Sequence, residues 1–365
     1  MSLRIEPRRE ISWRMLYLTP FLAVLLTVMT GFVVFMFMGY SPLQTLKSFF
    51  ISPIMTGYGL AELGVKAAPL VTIAVGLAIG FRANVWNIGA EGQLTMGAIA
   101  GGGIALATFG QEGSWILPAM MLAGILGGMA YAAIPAFLKT RFEVSEILTS
   151  LMLTYIATLF LSILVYGPWK DPEGYGFPQS RMFSEAAIVP IVWEGTRLHI
   201  GALIALAVAV AAWVLMTRSI IGFEIKVVGQ APAAARFAGF ARNRIVWLCL
   251  LLSGGLAGLV GTIEVSGPIG QIIPNLTPGY GFTAIIVAFL GRLHPLGIVP
   301  AGLLIALSYI GGENAQVEVG LPQGATGLFQ GMLLFFLLAS DFLVRYRIVL
   351  TRPAAAAPRR EVAPA

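Results

Sequence analysis

Long uninterrupted apolar runs, separated by short segments that hold most of the charges, constrain this chain more than any other feature. A helical apolar run of about 20 residues crosses roughly 30 Å of hydrocarbon. Only 11% of the residues are charged, whereas soluble domains carry about 25%. A membrane β-barrel would instead show alternating segments of about ten residues. The sequence therefore predicts an all-α fold, a polytopic bundle of transmembrane helices.

Ten segments are predicted to be helices at membrane depth. The first, 16–38, is longer than the apolar region of about 7–15 residues in a typical signal peptide, so we expect it to be retained. The eighth has only 11 residues and is predicted to be a half-helix or a re-entrant piece. The predicted segments are 16–38, 62–81, 90–109, 115–137, 147–166, 199–216, 245–265, 281–291, 296–311 and 325–343.

Lys and Arg residues are unequally divided between the two sides of this bundle. With the N-terminus inside, 18 of the 23 fall in inner segments and five in outer segments. Because positive residues favour the cytosolic side, both termini are predicted to lie inside. The net charge of +6 is then a topology signal rather than a sign of nucleic-acid binding. We expect a cytosolic tail over 1–15, a transmembrane domain over 16–345 and a disordered cytosolic tail over 346–365.

The sequence contains none of the common motifs of an enzyme active site or a metal site. Cys249 is the single cysteine, and His199 and His294 are too few for a histidine metal cluster. The chain has neither the G-x-x-x-x-G-K-[ST] pattern of an ATPase site nor H-E-x-x-H. We therefore predict a protein that is not an enzyme and that binds no metal or cofactor of its own.

Small residues and two long loops give further expectations. The outer loop 167–198 is rich in Pro, Gly and aromatic residues and is predicted to be an irregular lid. Six polar residues near outer ends are predicted to be solvated: Glu264, Gln271, Asn275, Glu313, Asn314 and Gln316.

Glycines spaced four apart predict close helix packing at three pairs: Gly97 with Gly101, Gly124 with Gly128, and Gly254 with Gly258.

The inner loop 217–244 contains a predicted short helix. Pro232 suits its first turn and Gly239 its C-terminal stop. Phe237 and Phe240 give it apolar points, which suit a groove on a partner protein. A helix lying on the lipid surface is an equal alternative.

The stretch "FRANVWNIGAEGQ", 81–93, places polar groups between two apolar runs. Asn87 could cap the helix that starts near residue 89, with Glu91 in the first turn near its positive dipole end. A discontinuous helix that shapes a solute path is the second interpretation, because polar groups at membrane depth are costly unless they face a cavity or a partner. The sequence leaves both open.

Two stretches together resemble a known family. "FRANVWNIGAEGQLTMGA" (81–98) and "VGQAPAAARFAGF" (228–240) are similar to permease subunits of ABC importers, in the branched-chain amino acid and simple-sugar permease family. The first stretch is most similar to the nucleoside (purine/simple sugar) type. The resemblance extends over about 60–345 in motif order, spacing and hydropathy.

The resemblance implies a transport subunit of a bacterial inner membrane with several partners. A second related permease chain completes the pathway, two cytosolic ATPase subunits use ATP, and an extracytoplasmic binding protein delivers the solute. Ala231 stands where the family commonly has Asn, which removes a capping oxygen worth about 1 kcal/mol. The residues that match the ATPase-coupling helix are Gly229, Pro232, Ala233, Ala234, Ala235, Arg236, Phe237 and Gly239.

A nucleoside is the solute that the resemblance favours, with a monosaccharide or a branched-chain amino acid as alternatives. An ion-coupled secondary transporter is the alternative from another class, and it should place a lone carboxylate or charge pair within a span. Side chains with amide, carboxylate or aromatic groups near the first motif are the candidates for the solute path: Phe81, Asn84, Trp86, Asn87, Glu91 and Gln93.

Overall fold

A computed structural model describes residues 2–7 and 13–351, and the side chains of residues 18–340. This part of the chain holds thirteen α-helices, two short 3₁₀ turns and one pair of strands. In chain order the elements are β1 (Ser2–Pro7), α1 (Trp13–Phe37), α2 (Pro42–Phe50), α3 (Gly57–Arg82), α4 (Ala90–Ala107), α5 (Ile116–Phe142), α6 (Glu146–Tyr166), α7 (Gly201–Arg218), α8 (Ile220–Gln230), α9 (Pro232–Phe237), α10 (Arg242–Ser266), α11 (Tyr280–Leu290), α12 (Pro295–Val319), α13 (Gly324–Arg345) and β2 (Tyr346–Thr351).

Each of the ten predicted membrane segments overlaps one of these helices, which confirms the all-α polytopic fold. Among the described residues, seven helices are long and apolar enough to cross a membrane: α1, α3, α5, α6, α7, α10 and α12. The predicted short eighth segment is α11, with 11 residues. α4 is absent from the seven because Glu91, Gln93 and its glycines lower its hydropathy. α2 and α8 are additional helices that the hydropathy pattern does not predict.

The described residues form two units. Residues 43–330 form the larger unit, which contains α3–α12. The smaller unit brings together the two ends of the chain, where β1 pairs antiparallel with β2. The sequence predicts disorder from residue 346, whereas 346–351 form β2, because aromatic and β-branched residues favour a strand there. The rest of that predicted tail, 352–365, lies outside the described residues.

Glycines bring α4, α5 and α10 into backbone contact within the larger unit. A Cβ atom on Gly97 would lie 2.2 Å from Cα of Gly258. A Cβ atom on Gly128 would lie 2.1 Å from the carbonyl oxygen of Gly254, and one on Gly124 would lie 2.9 Å from that of Gly258. The predicted role of the spaced glycines in close packing is confirmed. These contacts fix α4, whose first turn carries part of the candidate site.

The outer loop, residues 167–200, is irregular, as predicted, and is fastened to its surroundings. Ser180 and Ile272 exchange two hydrogen bonds of 2.9 Å, one between backbone groups and one from the Ile272 N–H to the Ser180 hydroxyl. Arg197 Nε donates to Glu62 Oε1 at 2.8 Å, and this hydrogen-bonded carboxylate raises the pKa of Arg197 above its usual value. The loop therefore covers the segment after α10 and the start of α3.

The polar residues at the outer ends are not all solvated. Asn275 is exposed, and Glu313 is an exposed partner of Lys66, with Nζ and Oε1 3.1 Å apart. Glu264 differs from the prediction because only 5% of it is exposed. Its burial places a carboxyl group inside the bundle, near the end of α10.

Candidate functional site

The first motif forms a helix break. α3 ends at Arg82, and the N–H groups of Ala83 and Val85 both donate to the carbonyl of Gly80 at 2.9 Å. Asn84 takes a positive φ of 56°, a conformation that Asn adopts more easily than most residues. The chain then runs without helical structure until α4 begins at Ala90. The predicted discontinuity between the two helices is therefore present.

Side chains of α6 satisfy the backbone donors of this break. Trp86 N–H donates to Glu146 Oε1 at 3.2 Å, and Ile88 N–H donates to Ser150 Oγ at 3.2 Å. Glu146 is also paired with Lys139, at 2.5 Å. Irregular backbone at membrane depth is tolerated only when its polar groups are paired in this way. Neither Glu146 nor Ser150 was singled out from the sequence, because nothing in their spacing links them to a segment about 60 positions earlier.

Two amides of the motif bind each other inside the bundle. Asn87 Nδ2 donates to Gln93 Oε1 at 2.7 Å, and Gln93 Nε2 donates to Asn87 Oδ1 at 3.0 Å. Asn87 Nδ2 also donates to Ser253 Oγ of α10 at 2.9 Å. The expected cap by Asn87 is not formed: the N-cap residue is Gly89, and the backbone N–H that donates to Asn87 Oδ1 is that of Gly89 itself, at 3.2 Å, before the first turn of α4. Asn87 instead joins α4 to α10.

Glu91 lies in the first turn of α4, as predicted, but its carboxylate binds another helix. Glu91 Oε2 accepts from the Gly281 N–H at 2.6 Å, and Oε1 accepts from the Thr277 hydroxyl. Gly279, the N-cap residue of α11, provides no side-chain cap. Glu91 therefore supplies the negative group at the positive end of this half-helix. Thr277 and Gly281 are distant in sequence, and no local pattern links them to Glu91.

Aromatic candidates form a separate cluster with α11. The rings of Phe81 and Trp86 have centroids 4.7 Å apart, and Phe289 lies 5.5 Å and 6.0 Å from them. Asn84 is exposed, and its Oδ1 accepts from Trp86 Nε1 at 2.9 Å. The six solute-path candidates thus divide into an aromatic group, an amide pair and a helix-capping carboxylate.

The inner loop folds into α8 and α9. The predicted short helix is Pro232–Phe237, with Pro232 at its first position and no side-chain cap on Ala231. Gly239 takes a φ of +78°, which ends the helix. Phe237 is 94% exposed, whereas Phe240 packs edge-on against Phe223, with centroids 6.1 Å apart. α9 therefore presents one uncovered aromatic side chain and a positive charge, on Arg236.

The inner loop and the first motif meet at Gly229. A Cβ atom on Gly229 would lie 2.0 Å from the carbonyl oxygen of Arg82, so the two backbones are in contact. A cavity of about 160 Å³ beside this contact is lined by Asn84, Lys139 and other residues of both segments. The start of α12 is also near: burial, with the positive charges of Arg82 and Lys226, lowers the pKa of His294. Within the described residues, no three His, Cys, Asp or Glu side chains are placed to hold a metal ion.

Replacing Asn87 with alanine is expected to destabilise the protein. The change leaves Gln93 and Ser253 with unpaired buried groups, which should lower the free energy of unfolding by about 1–3 kcal/mol. Denaturant titration of the protein in detergent would measure this. The matched control is Asn275→Ala, at an exposed position, and an equal effect of both changes would refute a role for the amide pair.

Comparisons with known proteins find permeases. The sequence profile of a family described as the permease component of branched-chain amino acid transport systems matches residues 59–338. The glucose ABC transporter permease protein TsgB13 of Haloferax volcanii is 36% identical, over 95% of this chain and 94% of its own length. The guanosine ABC transporter permease protein NupP of Bacillus subtilis is 28% identical, over 90% and 94%. The nucleoside ABC transporter permease protein NupB of Lactococcus lactis is 26% identical, over 90% and 92%.

Proposed function

Because the chain belongs to the family of permease components of branched-chain amino acid transport systems, we propose that it is a membrane-spanning subunit of an ATP-driven ABC importer that carries a nucleoside. The family match extends over most of the chain. The alignments with the three reported ABC transporter permeases cover more than nine-tenths of the length of each relative. The proposed place is the bacterial inner membrane, with the loop 217–244 in the cytosol, as the distribution of Lys and Arg predicts.

The exposed helix α9 is the observation that carries the coupling part of this proposal. A side chain such as Phe237, 94% exposed beside an arginine, is well suited to a groove on a partner protein. Gly229, in α8 of the same loop, touches the break after α3. A movement imposed on α9 by an ATPase subunit would therefore reach the end of α3 through α8.

The proposed complex contains more chains than this one. Two cytosolic ATPase subunits hydrolyse ATP, since this sequence lacks the phosphate-binding loop of such enzymes. A second related permease completes the pathway, and an extracytoplasmic binding protein delivers the solute. This chain itself would hold no metal or cofactor. Support for these partners comes from the family and from the ABC permease relatives.

Nucleoside transport is supported by two of the three relatives reported above, and by the aromatic stack of Phe81, Trp86 and Phe289, in which Trp86 and Phe289 are partly exposed. Glucose is the second candidate solute, since the 36% identical relative is a glucose permease. Both solutes require the same alternation between outward and inward openings.

Reconstitution tests the proposed function. The complete importer in proteoliposomes should take up a nucleoside only when ATP is supplied and the ATPase subunits are active. Glucose and leucine, each with its binding protein, serve as competing solutes. Uptake by this chain alone, driven by an ion gradient without an ATPase, would show a secondary transporter instead.

Replacing Phe237 with serine is expected to weaken binding of the ATPase subunit at least about tenfold. Burying a phenylalanine at an interface contributes about 1.5–3 kcal/mol, and 1.4 kcal/mol corresponds to a factor of ten. Because the side chain is 94% exposed in this chain, the fold should be unaffected. Affinity of the purified ATPase for the permease in detergent measures the effect. Phe177→Ser, at a position 66% exposed in the outer loop, should leave affinity unchanged.

A further inference from the structure

A groove runs along one side of α10, between this helix and α5. It has a volume of about 510 Å³, and α5 contributes Ile125 and Met129 to its wall. Both helices are long and apolar enough to cross a membrane, so the groove lies at membrane depth. The side chains of α10 that line it occur at the three- and four-residue spacing of one helix face: Arg244, Trp247, Leu248, Leu251, Leu252 and Leu256.

The groove opens only the first part of α10. Every residue of 257–266 is buried inside the protein. The groove ends where a Cβ atom on Gly255 would lie 3.0 Å from Met129 Cγ, so α5 and α10 are in contact there. The helix rises about 18 Å between residues 244 and 256, close to half of the roughly 30 Å hydrocarbon core. The opening therefore matches the depth of one lipid leaflet, whereas a helix of a partner protein would pack along the full depth.

Positive side chains stand at the end of the groove where α10 begins. Arg244 lines the groove, is exposed, and takes part in none of the ion pairs formed among the described residues. Arg242 in α10 and Arg141 in the last turn of α5 are exposed as well. Among the described residues, no Asp or Glu lines the groove. Because a guanidinium group binds phosphate oxygens through paired N–H donors, this end suits an anionic lipid headgroup.

Trp247 forms part of the wall one helical turn beyond Arg244. Its indole Nε1 donates to Thr140 Oγ1 of α5 at 3.0 Å, which holds the ring between the two helices. Tryptophan is enriched at the level where the hydrocarbon of a bilayer meets the headgroups. With Trp247 at that level, Arg244 lies among the headgroups, and the leucines that line the rest of the groove lie among the acyl chains.

We infer that this groove binds one anionic phospholipid of the cytosolic leaflet. Arg244 binds the phosphate of the lipid, and one acyl chain lies along the leucines of α10. Lipid in this position would fill the gap between α5 and α10 beside the inner loop. The inference uses the proposed cytosolic position of the loop 217–244, and it is independent of which solute the importer carries.

Tryptophan fluorescence locates the lipid, because Trp247 lines the groove. The full-length protein in an uncharged detergent is titrated with phosphatidylglycerol whose acyl chains carry bromine, which quenches a tryptophan that it contacts. We expect a saturable component of quenching in the wild type that is absent from Trp247→Phe. Trp213→Phe is the matched control, because Trp213 of α7 is also partly exposed but does not line the groove. Unchanged quenching in Trp247→Phe would place the lipid elsewhere and overturn the site.

A second variant tests the headgroup and decides the question if Trp247→Phe does not fold. Arg244→Gln should raise the phosphatidylglycerol concentration that gives half of the saturable quenching about fivefold or more, the factor that about 1 kcal/mol represents. Brominated phosphatidylcholine should bind the wild type more weakly by a similar factor. Arg218→Gln, at an exposed arginine in the last turn of α7, should change nothing. Equal binding of the two lipids, or no effect of Arg244→Gln, would overturn the proposed selectivity for an anionic headgroup.

The same titration of the complete importer separates a lipid from a protein partner. Quenching of Trp247 that persists after assembly supports a lipid site. Its loss on assembly would show that another subunit covers the groove, and would overturn the inference. Because no solute is present in these experiments, their outcome is distinct from that of the uptake measurements that test the proposed function.

Discussion

Replacing Gly229 with alanine is expected to separate ATP hydrolysis from solute uptake. The added Cβ atom would lie 2.0 Å from the carbonyl oxygen of Arg82, 2.9 Å from its carbonyl carbon and 3.0 Å from the carbonyl carbon of Ala83. All three atoms are backbone, so no side chain can rotate away. Overpacking of this kind costs about 1–3 kcal/mol, and the inner loop must move off the helix break to relieve it.

Uptake and ATP hydrolysis must be measured in the same proteoliposomes. We expect Gly229→Ala to lower uptake by about tenfold or more, the factor that about 1.4 kcal/mol represents, while the ATPase subunits still bind α9. Gly327→Ala in α13 is the matched control, because nothing lies within 4 Å of its added Cβ atom. Normal uptake by Gly229→Ala would show that the contact with Arg82 does not transmit movement.

Replacing Glu91 with alanine is expected to displace α11 and to abolish uptake. The change removes the two carboxylate oxygens of Glu91. One of them accepts a hydrogen bond from the Gly281 N–H, and the other accepts one from the Thr277 hydroxyl. A buried N–H without a partner costs about 1–3 kcal/mol, and the helix dipole adds up to about 1 kcal/mol. Glu91 is the side chain that accepts from the first turn of α11, because Gly279 offers no side-chain cap.

A graded set of variants tests the capping role of Glu91. Glu91→Gln keeps one acceptor and should retain part of the uptake, and Thr277→Val removes only the hydroxyl and should have the smallest effect. Denaturant titration and initial uptake should follow the same order. Glu112→Ala is the control, at an exposed position in an outer turn. If Glu91→Ala lost uptake at unchanged stability, the carboxylate would have a role other than capping.

The helices of this protein could be predicted because a helix that crosses a membrane needs a long apolar segment, which is visible in the hydropathy of the sequence. Each apolar run became a helix, the 11-residue run became α11, and the spaced glycines became helix contacts. Pro232 and Gly239 marked the ends of α9 through their backbone preferences alone. α8 was not predicted because a single residue, Ser219, separates it from α7; this serine is the N-cap of α8, and its hydroxyl accepts from the Gly222 N–H at 3.0 Å.

The partners of the first motif could not be predicted, because they depend on tertiary packing. Local capping rules assigned Asn87 and Glu91 to the start of α4, yet Glu91 binds Gly281, 190 positions away. Gln93 pairs with Asn87 across six positions, a spacing that helical periodicity does not favour. Glu264 lies near a helix end in sequence but is covered in the fold. Sequence therefore located the polar groups but not the atoms that they bind.

In the proposed importer, the contact at Gly229 would keep ATPase recognition apart from the transmission of movement. The inner loop touches the break after α3 through backbone atoms, whereas α9 offers Arg236 and Phe237 on its outside. If α9 binds the ATPase as proposed, its exposed side chains could be exchanged to match a different ATPase without altering the backbone contact at Gly229. An importer could in this way be adapted to the ATPase subunit of another transporter by replacing a few residues of α9, provided that Gly229 is kept.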